Sequence, residues 1–96
     1  MFTVVARYYM KEGTEDLAID LLKTVLPLAR KEPGCITYTL NQSVDDPRQL
    51  MLFEQYVDEA AFLEHLATPY AQELVVSKVI PMIQKREREI YTSIEP

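Results

Sequence analysis

The chain has one histidine, one cysteine, two glycines and no tryptophan among its 96 residues. Cys35 has no second cysteine to bridge to, which suits a reducing compartment. No histidine or cationic cluster adjoins it in sequence, so a small buried hydrophobe is the expectation there. With only Gly13 and Gly34 there is no GxGxxG and no Walker loop, which excludes a phosphate-cradling turn. One histidine and one cysteine, without Asp or Glu clustered at ligand spacing, fall short of a metal's ligand set, and no Ser-His-Asp arrangement is present. Positive charge is scarce as well: 10 Lys and Arg face 15 Asp and Glu, for a net charge of −5. The densest basic run, KRERE from Lys85 to Glu89, alternates with glutamates and reads as a solvated mixed-charge face. Nucleic-acid binding needs a basic surface that displaces counterions, so nucleic acid and anionic membrane are not expected partners. No apolar run approaches the roughly 18 residues of a membrane span. Arg7 comes too early in MFTVVARYYM for a secretory leader. The expected location is the cytoplasm.

What the chain has in quantity is apolar side chain, at 48% of residues. Residues 1–96 make a single domain by length, and a domain of this size buries only about two thirds of its unfolded surface. The surplus points to a subunit interface.

Phe2 to Met10 is rich in β-branched and aromatic residues and predicts a strand. Gly13 breaks it, and Thr14 precedes Glu15 and Asp16 as a helix N-cap. Leu17, Leu21, Val25 and Leu28, with Leu22 and Ala29 beside them, follow the helical period, with a kink expected at Pro27. Lys31, Glu32, Pro33 and Gly34 close that helix. CITYTLNQ (Cys35 to Gln42) and LMLFEQYV (Leu50 to Val57) form a hairpin across the polar turn SVDDPRQ. Asp58 caps a short helix, Thr68-Pro69 ends it and starts another, and Glu89 to Ile94 reads as the last strand. The order is an α+β, ferredoxin-like βαββαβ: a four-stranded antiparallel sheet with helices on one face. Both faces of the first and third strands are largely apolar, so the open sheet face must be covered, and a second copy does so most economically. The expected assembly is a homodimer with a barrel-like centre.

The stretch AAFLEHLATPY, Ala60 to Tyr70, places His65 on the same helical face as Ala61 and Phe62. Either the imidazole is satisfied within the core or it faces a pocket near the loop at Thr68-Pro69. Glu54 interrupts the apolar strand LMLFEQYV and shares a face with Leu52 and Tyr56. A carboxylate buried without a partner costs several kcal/mol, so Glu54 is either functional, orienting His65 or another donor, or paired with a cation such as Arg7. Tyr38, Tyr56, Tyr70 and Tyr91 each offer an apolar body and one hydroxyl to a cavity.

The run EPGCITY (Glu32 to Tyr38), Glu54 with Tyr56, and AAFLEHLATPY together resemble the antibiotic biosynthesis monooxygenase family over nearly the whole chain. The resemblance implies the dimeric α/β barrel fold and a cavity between sheet and helices that His65 faces. Many relatives carry a tryptophan where this chain has Tyr56 and a histidine where it has Tyr70. The iron-ligating histidine of the haem-degrading branch, on the helix after Thr-Pro, has no counterpart, which sets haem degradation aside. The resemblance further implies oxygenation of a small aromatic or quinol-type substrate with no cofactor. His65 would then be the base or anion-stabilising donor, with Glu54 orienting it. Tyr38, Tyr56, Tyr70, Tyr91 and Phe62 are the candidate substrate contacts. Two other classes fit the same residues. One is a cofactor-free isomerase of small phosphorylated sugars or ketones, for which Arg7 or Arg86 would anchor phosphate. The other is a dimer that binds a small hydrophobic ligand without chemistry.

Overall fold

The structure, a computed structural model, describes residues 1–94. Four antiparallel strands, β1 (Phe2–Met10), β2 (Cys35–Gln42), β3 (Gln49–Tyr56) and β4 (Ile83–Thr92), form one sheet in the order β2-β3-β1-β4. The helices α1 (Glu15–Arg30) and α2 (Glu59–Leu66) and a π-helix (Ala71–Val79) complete the ferredoxin-like order.

Strand periodicity assigns the faces. Val4, Ala6, Tyr8 and Met10 of β1 are buried beneath the helices, and their ladder partners extend that face through Glu54, Leu52 and Leu50 on β3 and Tyr38 on β2. The opposite face carries Val5, Met51 and Phe53, all half-buried, with Arg7 bonded to Glu89 and the Tyr9 hydroxyl donating to Glu87 at 2.9 Å.

Three local expectations need correction. The buried stripe of α1 is Ala18, Leu22, Val25 and Ala29, while Leu17 and Leu28 are exposed. The helix is thus turned so that its two alanines meet the sheet, and small residues let a helix approach closely. As expected, it continues through Pro27, to Arg30. The last strand starts at Ile83, six residues before the expected Glu89, because KRERE is itself strand. Its alternation matches the pleat: Arg86 and Arg88 pair with Tyr8 and Ala6 on the helix-side face, whereas Lys85, Glu87 and Glu89 take the other. The run is exposed as expected, but it is sorted by face. Finally, the segment after Thr68-Pro69 is π-wound over Ala71–Val79. Thr68 still caps its start, its hydroxyl accepting from the Ala71 amide at 3.3 Å and its carbonyl from the Gln72 amide at 3.1 Å.

Two turns set the site's geometry. Asp58 caps α2 through Oδ1, which accepts from the Ala61 amide at 2.9 Å, and this fixes which residues of α2 turn inward: Ala61, Phe62 and His65. Between α1 and β2, the Glu32 carbonyl accepts from the Cys35 amide at 3.0 Å, closing a tight turn around Pro33-Gly34. A β-carbon at Gly34 would collide with that of Ala61. Glycine is therefore required there by close approach, and that approach brings Glu32 to α2.

Candidate active site

Between sheet and helices lies a cavity of about 60 Å³. The sheet contributes Val4, Ala6, Tyr8, Tyr38 and Glu54, and α2 contributes Phe62, His65 and Leu66. The π-helix closes the other side with Ala71, Val75 and Val76. Of the lining residues only Val76 and Arg88 are exposed, so these two frame the mouth and His65 and Glu54 sit deep.

His65 is 3% exposed. Its Nδ1 lies 2.9 Å from Oε2 of Glu32. A carboxylate only accepts, so Nδ1 carries the proton of that bond and a neutral ring keeps its lone pair on Nε2. Nε2 makes no hydrogen bond among the described residues. Three tyrosine rings surround the imidazole, with centroids at 5.2 Å for Tyr38, 5.7 Å for Tyr56 and 6.3 Å for Tyr70. Both readings of His65 thus hold in part: it is a buried, hydrogen-bonded imidazole, and it lines a cavity.

Glu54 is 5% exposed. The Tyr56 hydroxyl donates to its Oε1 at 2.6 Å. Burial raises the Glu54 pKa above the ordinary carboxylate range, against the opposing pull of that hydrogen bond and of His65 and Arg88. The hydrogen bond expected from Glu54 to His65 belongs to Glu32 instead. The alternative partner, Arg7, lies on the far face of the sheet, bonded to Glu89. Burial, reinforced by the Glu54 carboxylate, pushes the Tyr38 and Tyr56 phenols far above their usual range. Burial also lifts the Tyr8 phenol to about 12. At neutral pH all three are hydroxyl donors, not phenolates.

Of the other candidates, Tyr38 and Phe62 line the cavity. Tyr56 supports His65 and Glu54 from behind, and Tyr70 packs edge-on against His65 with its hydroxyl enclosed and unpartnered among the described residues. Tyr91 is a correction. It pairs with Thr3 on the open face, half exposed, and bonds Glu89 at 2.8 Å, because the period of two turns it away from the helices. Nor do Arg7 or Arg86 reach the cavity as cationic anchors; Arg88 does, its guanidinium 5.5 Å from the Phe62 ring centroid.

Sequence reasoning missed Glu32, Arg88 and Tyr8. Glu32 stood in plain view within EPGCITY but read as a helix terminator. Arg88 would have followed from treating KRERE as a strand. Cys35 is half-buried, and burial raises its thiol to about 11, in keeping with an unreactive position. Among the described residues no group of three His, Cys, Asp or Glu side chains could hold a metal ion, and no helix is long and apolar enough to cross a membrane.

Comparison with known proteins gives the chain's family and fold. The family profile described as Antibiotic biosynthesis monooxygenase matches residues 1–76. A Mycobacterium tuberculosis protein named "Putative monooxygenase Rv0793" is 33% identical over 67 residues, covering 70% of this chain and 65% of that protein. An uncharacterized Synechocystis protein is 28% identical over 92 residues, covering 96% of this chain. This chain spans 63% and 65% of the lengths of those two relatives, respectively. Among solved structures, a Shewanella oneidensis protein, SO0527, superposes with a TM-score of 0.88 at 37% identity, over 94% of this chain and 87% of that one. A Nitrosomonas europaea structure described as "Putative antibiotic biosynthesis monooxygenase" superposes with a TM-score of 0.93 over 99% and 100% of the two chains; at 20% identity it speaks to the fold alone. By the profile match over residues 1–76, the chain belongs to the antibiotic biosynthesis monooxygenase family.

Proposed function

We propose that this protein is a cofactor-independent monooxygenase of a small phenolic or quinol-type substrate, with His65 as its base. The observation that carries the reading is the imidazole itself: buried, held through Nδ1 by Glu32, and presenting the cavity with a ring nitrogen that has no partner among the described residues. Nε2 takes the phenolic proton, which makes an electron-rich anion. That anion passes one electron to O2, and the two radicals combine at a ring carbon bearing hydrogen. Loss of water from the peroxide then leaves a quinone. The substrate hydroxyl gives one hydrogen and the ring carbon the other, one oxygen atom enters the ring, and the second leaves as water. The substrate supplies every electron. The protein removes the proton, stabilises the anion and excludes bulk water.

Glu32 is the positioning carboxylate. Glu54, which the resemblance cast in that role, instead faces the cavity as a second proton-active group, and Tyr38 offers a hydroxyl to a ring oxygen. The half-buried Val5, Met51 and Phe53 and the β4 strand exposed along its length favour a second copy against the open face, closing a barrel. The cation at the cavity mouth favours one rival, a cofactor-free isomerase anchoring an anionic substrate at Arg88; inhibition by inorganic phosphate would speak for it. The deciding experiment is oxygen uptake with a panel of hydroquinones, naphthols and an anthrone. The wild type is expected to consume oxygen and the folded His65→Ala variant to have none of that activity. Equal rates in the two proteins rule out His65 as the base.

A further inference from the structure

Apart from the hydroxyls of Tyr8 and Tyr38, the cavity is apolar except at three places: His65 and Glu54 at its depth and Arg88 at its mouth. Of the other cations around β4, Arg7 and Lys85 are engaged, whereas Arg86 has no ion pair among the described residues but lies outside the cavity lining. Arg7 is bonded to Glu89, and Lys85 lies 4.0 Å from Glu87 and over the Tyr9 ring. Arg88 has no ion pair among the described residues. Its guanidinium rests on Phe62, a cation–π contact that steadies the head group and leaves its edge for a planar anion. Volume adds a constraint. An enclosed apolar cavity that takes benzene measures about 150 Å³, whereas this one measures about 60 Å³. A ring therefore enters edge-first and keeps its outer end at the mouth. Glu54 fixes the polarity, since a ligand carboxylate pushed inward would meet another carboxyl group, and one left at the mouth meets Arg88.

Resting on the reading above, we propose that the natural substrate is a single-ring hydroxylated aromatic carboxylate, its phenolic end at His65 and its carboxylate on Arg88. Arg88 is then the residue that sets specificity.

The test is anaerobic calorimetric titration with a matched pair, 2,5-dihydroxybenzoate and hydroquinone, which differ by the carboxylate alone. Wild type is expected to bind the carboxylate about tenfold more tightly, a preference that shrinks as salt is added. Arg88→Gln should abolish the preference without changing hydroquinone affinity, and Arg88→Lys should retain part of it. Arg86→Gln, on the same face two residues away but outside the cavity lining, should leave it intact. Circular dichroism checks that each variant is folded. Equal affinity for the two probes, a preference that survives Arg88→Gln, equal loss in Arg86→Gln, or no binding of either probe at millimolar concentration each overturn the proposal. Oxygen plays no part in the titration, so the two ideas fail separately. Intact preference without turnover removes the reaction and leaves the anchor; hydroquinone turnover without preference does the reverse.

Discussion

Replacing Glu54 with glutamine tests the electrostatics of the cavity without changing its shape. Glu54 is 5% exposed, and among the described residues its carboxylate's one hydrogen bond comes from Tyr56 at 2.6 Å, which a glutamine carbonyl also accepts. Burial raises its folded-state pKa above the reference 4.5. The folded protein therefore holds this proton more tightly than the unfolded chain does. The sign follows from linkage: stability due to this group is complete below the unfolded pKa, near 4.5, and is lost as pH rises through the higher folded pKa. Within that window wild type loses up to about 1.4 kcal/mol per pH unit relative to Glu54→Gln, and above it the gap is constant. Urea unfolding of both proteins from about pH 4 to pH 8 measures the gap, and every other titrating group is common to both. The variant should gain on wild type as pH rises from the acid end. A difference that stays flat across the range, or that moves the other way, refutes the claim that burial outweighs Tyr56, His65 and Arg88 in setting this group.

Gly34→Ala should destabilise the fold by ~1–3 kcal/mol by forcing its β-carbon into Ala61, and it should slow turnover as well, because the same turn delivers Glu32; thermal unfolding and oxygen uptake measure the two effects. Glu32→Gln should lower kcat by ~10²-fold or more with the fold retained. An unchanged kcat in the folded variant would make Glu32 merely structural. At about pH 8, raising the Cys35 thiol from 9.0 to about 11 cuts its thiolate about a hundredfold. The greater nucleophilicity of a more basic thiolate returns about tenfold, so alkylation should run about tenfold slower in the folded protein than in urea, and parity would contradict the burial argument.

The sheet and its helices were legible because their signals are local. β-branched runs, Gly13, the Asp58 cap and the Thr68-Pro69 break each act within a few residues, and all mark element boundaries in the structure. His65 was legible for the same reason, since its face follows from Ala61 and Phe62. Its partner was not. Glu32 is 33 positions away, brought over by a turn whose closeness depends on a missing β-carbon at Gly34, and nothing in the sequence distinguishes it from Glu54 as the orienting carboxylate. Tyr91 and Arg88 exchanged roles because the start of β4 was placed at Glu89. Once KRERE is strand, the pleat alone sends Arg88 inward and Tyr91 outward. The rotation of α1 onto Ala18 and Ala29 arises from packing against the sheet, and the π-winding of Ala71–Val79 was not legible because AQELVVSKV carries no pattern that separates a π-helix from an α-helix.

With a single histidine in the chain, a nitrogen-15 NMR spectrum of the imidazole can be read without assignment, and it bears on the central claim directly. At a pH where the ring is neutral, Nδ1 should be protonated and Nε2 bare, with the protonated signal disturbed in Glu32→Gln. A proton found on Nε2, or a spectrum indifferent to Glu32, would mean that the cavity has no base to offer a substrate.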